Sequence, residues 1–66
     1  MKGTVRTTTV NGINFEVWSD FIRRGTFAMN IKTGEVKQIS FSGYIHADLT
    51  TRKAIANTFG IATFRK

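Results

Sequence analysis

From Thr4 to Val10 the chain reads Thr-Val-Arg-Thr-Thr-Thr-Val, almost wholly β-branched, and Ile13-Asn14-Phe15-Glu16-Val17 then alternates strictly between apolar and polar positions. Both patterns suit a pleated strand and disfavour a helix. Asn11-Gly12 lies between them, and both residues tolerate the positive φ of a type I′ turn. Closing the hairpin there pairs Val10 with Ile13, Thr8 with Phe15 and Arg6 with Val17. That face should point to the core, with Arg6 at its rim. The opposite face carries Val5, Thr7, Thr9, Asn14, Glu16 and Trp18.

Ser19 to Gly25 (Ser-Asp-Phe-Ile-Arg-Arg-Gly) breaks the alternation and reads as a loop, with Ser19 or Asp20 placed to start a helical turn. Alternation returns at Thr26 to Ile31, with Phe27, Met29 and Ile31 on one side, and Lys32-Thr33-Gly34-Glu35 forms the next turn. A two-residue loop at Thr33-Gly34 would set Met29 opposite Gln38 and Phe27 opposite Ser40. A three-residue loop with Gly34 left-handed pairs Phe27 with Ile39 and brings Phe41 to the same face. The second register buries more apolar surface and is the one expected. This hairpin spans about residues 26 to 42, with Gly43 ending its second strand.

Beyond Asp48 the period changes. Asp48 or Thr50 can cap a helix, Ile55 and Phe59 stand i, i+4 with Ala54 and Ala56 beside them, and Gly60 follows as a terminator. Ile61, Thr63 and Phe64 leave room for a short fifth strand. The expected architecture is therefore α+β: a small antiparallel sheet of two hairpins, with one C-terminal helix packed on one face.

Length sharpens this picture. Sixty-six residues make a single domain, 1–66, and a core this small buries only about 60% of the surface exposed by the unfolded chain. With no cysteine and one histidine, zinc fingers, disulfide scaffolds and thiol redox chemistry are excluded, and no cofactor or metal is expected. Packing of six phenylalanines, one tryptophan and one tyrosine is the remaining source of stability, together with self-association. No apolar run is long enough for a membrane span or a secretory leader, so a cytoplasmic setting without membrane contact is expected.

Charge points to a partner. Ten Lys and Arg oppose four Asp and Glu, a formal net charge of +6, which creates a field favourable to polyanions. The cations fall into groups: Arg23-Arg24 in the loop before Gly25, Lys32 and Lys37 on the second hairpin, and Arg52-Lys53 in the first turn of the expected helix. At that helix start, free amides, the hydroxyls of Thr50 and Thr51 and the two cations could meet a phosphate. Arginine in a loop suits bidentate phosphate contact. Asn14, Asn30 and Gln38 could reach base edges or stand as ordinary strand polar groups. Trp18, Phe21 and Tyr44 are the aromatics hardest to place in the core. They could stack on bases, anchor a partner, or close the edge of a small core.

Two short resemblances go no further than their residues. Residues 51–61, with Ala56 and Gly60 at alanine-to-glycine spacing, resemble the first helix and turn of a helix-turn-helix, but five residues after Ile61 leave no recognition helix. The opening Met-Lys-Gly-Thr-Val is similar to cold-shock domains, whose aromatic strands have no counterpart at residues 13–18. The acids Glu16, Asp20, Glu35 and Asp48 are scattered, His46 is alone, and no nucleophile with an oriented base can be assembled, so no enzyme is expected. Two functions fit: a small nucleic-acid-binding accessory or regulatory protein (DNA or RNA) acting through phosphate contacts, or an interaction module docking on an acidic protein surface. Uncovered sheet edges and a small core are compatible with a homodimer under either.

Overall fold

A computed structural model describes residues 5–20, 22–41 and 48–61. It contains β1 (Arg6–Val10), β2 (Ile13–Asp20), β3 (Gly25–Asn30), β4 (Val36–Ser40) and α1 (Asp48–Phe59). The strands form one antiparallel sheet in the order β1-β2-β3-β4, a meander with the helix against one face. This is the α+β arrangement that the alternation and the late change of period imply.

The first hairpin forms as its pattern dictates. Arg6 pairs with Val17, Thr8 with Phe15 and Val10 with Ile13, and Asn11 and Gly12 take φ of 49° and 79° in the connecting turn. Val10, Phe15 and Val17 lie in the core beneath α1 with Ala28, Ile39, Ile55 and Ala56. Phe15 meets Phe59 edge-on, with ring centroids 4.9 Å apart. Burial of side chains of this size stabilises the fold by about 1.5–3 kcal/mol each.

The second strand is longer than its alternation suggests. Ser19 and Asp20 continue β2, pairing with Thr26 and Gly25, so the expected loop 19–25 shrinks to residues between Asp20 and Gly25. Asp20 ends the strand because its Oδ1 accepts hydrogen bonds from the amides of Ile22 (3.0 Å) and Arg23 (3.1 Å) and so folds the chain back. Val17 then faces Ala28, and Trp18 faces Phe27. Phe27 and Met29 consequently lie on the face away from the helix. The small Ala28, fully buried, occupies the place under α1 where a large side chain would hold the helix off. Trp18 and Phe27 stack across their strands, with centroids 6.2 Å apart and planes at 17°, and both are buried.

The third turn departs from the expected register for a traceable reason. The Asn30 side chain accepts from the amides of Lys32 and Thr33, its backbone oxygen accepts from Gly34, and its amide donates to Glu35. These bonds close a four-residue loop, 31–34, rather than three, although Gly34 is left-handed as anticipated, at φ 79°. Met29 therefore faces Val36 and Phe27 faces Gln38, not Ile39. A bulge then shifts the pairing by one residue, Thr26 faces Ser40, and Ile39 turns into the core. Beyond the bulge this is the register that the shorter loop implies. Phe41 does not join the core, and Ile31 stands exposed in the turn.

The helix begins at Asp48 and ends as its glycine suggests. Gly60 takes φ 69°, and the Ile61 amide donates to the Ala56 oxygen at 2.8 Å, the long bond of a Schellman cap. Ile61 thus completes the helix end rather than opening a fifth strand. Thr63, Phe64, Gly43 and His46 lie outside the described residues. Across the sheet, Arg6 Nη2 donates to Thr51 Oγ1 at 2.8 Å, tying β1 to α1. Among the described residues every buried side-chain nitrogen and oxygen has a hydrogen-bond partner, and no helix is long and apolar enough to cross a membrane.

Candidate nucleic-acid interface

The expected cations do not gather into one cluster. Arg23 and Arg24 occupy the β2–β3 turn at one end of the sheet. Lys32 sits at the other end, between the tips of the two outer hairpins. Lys37 stands on β4 at the helix side, its Nζ 5.5 Å from the Phe59 ring centre and 3.7 Å from Glu35 Oε2. Arg52 and Lys53 are on the solvent stripe of α1, because Thr51, Ile55 and Ala56 take the buried stripe.

The phosphate site foreseen at the helix start does not assemble. With α1 beginning at Asp48, Arg52 and Lys53 stand in its second turn, past the free amides. Thr51 is fully buried and holds the Arg6 guanidinium. The two cations remain exposed on the helix surface, without the donor set a bound phosphate would need.

Trp18 is likewise turned inward. Its stack on Phe27 leaves it 7% exposed, so it serves as part of the packing on the face opposite the helix and offers no ring to a base. Phe21 and Tyr44 lie outside the described residues.

The β2–β3 turn is organised more closely than the composition of Arg23-Arg24-Gly25 suggests. Arg23 lies over the Phe27 ring, its guanidinium carbon 5.2 Å from the centre, with Nε 3.7 Å from Asp20 Oδ2. The Arg23 amide holds the Asp20 carboxyl below its ordinary pKa; burial opposes this and the Ile22 amide reinforces it. Arg24 adopts φ 58°, a left-handed conformation rare for a side chain of this kind. Its carbonyl accepts from Gln38 Nε2 at 3.3 Å, and the same amide nitrogen reaches the Ser40 carbonyl at 3.2 Å. Gly25 is required there: a Cβ would run into the Gln38 side chain and lie 2.7 Å from the Ser40 oxygen.

Residues missed by the sequence reading complete this end of the sheet. Ile22 is 79% exposed and Phe41 85% exposed. Phe41 follows directly on Ser40, and one Gln38 amide grips both Ser40 and Arg24, so the aromatic and the arginine turn are fastened together. Nothing in the period-two pattern marks Phe41 as external, because only the bulge at Ile39 takes it off the apolar face.

No family model matches the chain, and neither the curated proteins nor the solved structures include a significant match.

Proposed function

We propose that this is a small nucleic-acid-binding protein of accessory or regulatory kind, acting mainly through contacts to phosphate. The observation that carries the reading is an imbalance at the surface. Arg23, Arg24, Lys32, Lys37, Arg52 and Lys53 are all exposed. Of the acids whose burial is described, Glu35 alone is exposed; Glu16 is half-buried and Asp20 is buried, its carboxylate committed to its own turn. Among the described residues the positive excess is thus expressed outward, where it attracts a polyanion over about a Debye length. Spread over both ends of the sheet and the helix, the cations suit neutralisation of an extended backbone better than capture of one small anion. The reading assigns the protein to the cytoplasm, where nucleic acid is the abundant polyanion.

The test is an anisotropy titration of labelled single-stranded and duplex oligonucleotides at several salt concentrations. Neutralising about four phosphates gives a slope of log K against log salt near −3.6 on duplex and near −2.8 on a single strand. Replacing Arg23, Arg24, Arg52 and Lys53 together by alanine should abolish most of that slope while the fold persists. Salt-independent, millimolar binding by the wild-type protein would overturn the reading. Capture of an acidic protein that survives nuclease would direct the same field to a protein partner instead.

A further inference from the structure

We infer that the end of the sheet formed by the β2–β3 turn and Phe41 is a stacking site for an unpaired nucleobase, which makes single-stranded nucleic acid the preferred ligand. The inference rests on the nucleic-acid reading above and adds to it the class of strand and the place of contact.

Three independent observations converge there. Phe41 is 85% exposed, whereas Phe15, Trp18 and Phe27 are buried. Arg23 and Arg24 are exposed in the turn that Gln38 ties to Ser40, the residue before Phe41, and the Arg23 guanidinium lies over Phe27. The backbone beneath is held in a costly form: Arg24 has positive φ where glycine would fit freely, and Gln38 and the Gly25 close approach lock the turn to the strand that carries Phe41. Backbone outliers supported by their surroundings are a recognised mark of functional positions.

The chemistry of these groups selects the ligand. An exposed ring at a strand end tied to an arginine-bearing turn suits a base with its adjoining phosphates, since every base has a π face and stacking tolerates sequence. A duplex offers phosphates but keeps its bases paired and stacked, so it can use the arginines and not Phe41. Ile22, 79% exposed in the same turn, adds apolar surface to the turn that carries the arginines. Recognition on this surface is therefore by strand state, with the arginines supplying the salt-sensitive part.

The experiment compares a labelled short oligothymidylate, a duplex of equal length and vesicles of phosphatidylserine in phosphatidylcholine, using the full chain and the variants Phe41→Ala, Phe41→Tyr and Arg24→Ala. Phe41 is exposed, so its variants should fold, as circular dichroism will check. The expected result is tighter binding of oligothymidylate than of duplex. Phe41→Ala should weaken the single-strand complex roughly 5- to 150-fold, the worth of one base–aromatic stack, with little change on duplex. Phe41→Tyr should restore binding. Arg24→Ala should weaken both and lower the salt slope by about 0.7 on the single strand. Salt-sensitive binding of both nucleic acids that is indifferent to Phe41→Ala overturns the stacking site and leaves the general reading standing. Absence of binding to either overturns both. Vesicle binding that depends on Phe41, without oligonucleotide binding, overturns both in favour of an anionic lipid surface.

Discussion

At one end of the sheet, Asn11-Gly12 and Gly34 carry the positive φ that reverses the chain; at the other, Arg24 carries it. The first pair uses residues for which left-handed backbone costs little, and beyond each glycine there is open space. The Arg24 turn places a long cation in a conformation that costs an ordinary residue about 1–2 kcal/mol. Its backbone is held by Asp20, which accepts from the Ile22 and Arg23 amides, by Gln38, which donates to the Arg24 carbonyl, and by the close approach of Gly25 to Gln38 and Ser40. Turns built from glycine and asparagine reverse the chain without needing such support. A turn that needs this much support from its neighbours fixes the backbone from which its side chains leave, and here those side chains are arginines in a turn tied to the strand end that precedes an exposed phenylalanine.

The contrast can be tested by damaging each end in turn. Gly25→Ala should be the most severe change, costing about 1–3 kcal/mol because the added methyl meets the Ser40 backbone as well as the mobile Gln38 side chain. Thermal unfolding will measure it, and a change below about 0.5 kcal/mol would show that the clamp is looser than the distances imply. Gly12→Ala should cost about 1–2 kcal/mol from backbone strain alone. Oligonucleotide affinity of the folded Gly12→Ala protein should equal that of the wild type, since this end is assigned no stacking role.

Arg24→Gly should move stability and binding in opposite directions. Removing the strained Cβ is favourable by about 1–2 kcal/mol, and the greater freedom of glycine in the unfolded chain returns about 0.5–1 kcal/mol of it. A net gain of roughly 0–1.5 kcal/mol in unfolding free energy, read as a higher denaturant midpoint at unchanged slope, with weaker oligonucleotide binding, is expected from those terms. A loss of stability would mean that the arginine side chain itself holds the turn. The smallest effect concerns acid. Asp20 has a folded pKa below its unfolded one, so its contribution is complete above the ordinary carboxylate range and is lost as pH falls through that range to the lowered value. Wild-type thermal stability should therefore decline as pH falls through the carboxylate range, and Asp20→Asn should flatten part of that decline.

The first hairpin was legible because all its signals agree: β-branched residues, strict alternation and Asn11-Gly12 specify one register. The helix and its end were legible from Ile55, Phe59 and Gly60 for the same reason. The second hairpin was not, because two local events lie outside any period. Asn30 captures the amides of Lys32 and Thr33 and lengthens the loop by one residue, and the bulge before Ser40 reverses the shift. The identity of β3's inner face was hidden too. Only the extension of β2 through Asp20 sets Ala28 opposite Val17 and sends Phe27 to the far side. At the candidate interface, sequence located Arg23 and Arg24 by composition, but their fastening to Phe41 depends on Gln38, a strand residue whose partners are distant along the chain or across a bulge. The helix-start phosphate site failed because Thr51, read as a free hydroxyl, is the buried acceptor for Arg6.

The meander has a cost in time during synthesis. All four strands are complete at Ser40, but the helix that covers their apolar face ends only at Phe59. At about 5–20 residues per second, the ribosome needs roughly 1–4 s to make residues 41–59. Until Thr51, Ile55 and Phe59 are made in turn, Arg6 lacks its hydrogen-bond acceptor and Phe15 and Val17 lack the helix that closes over them. The apolar face of the sheet thus depends for its cover on an element made after all four strands, and a chain stopped before Ile55 should be unable to bury Phe15 and Val17.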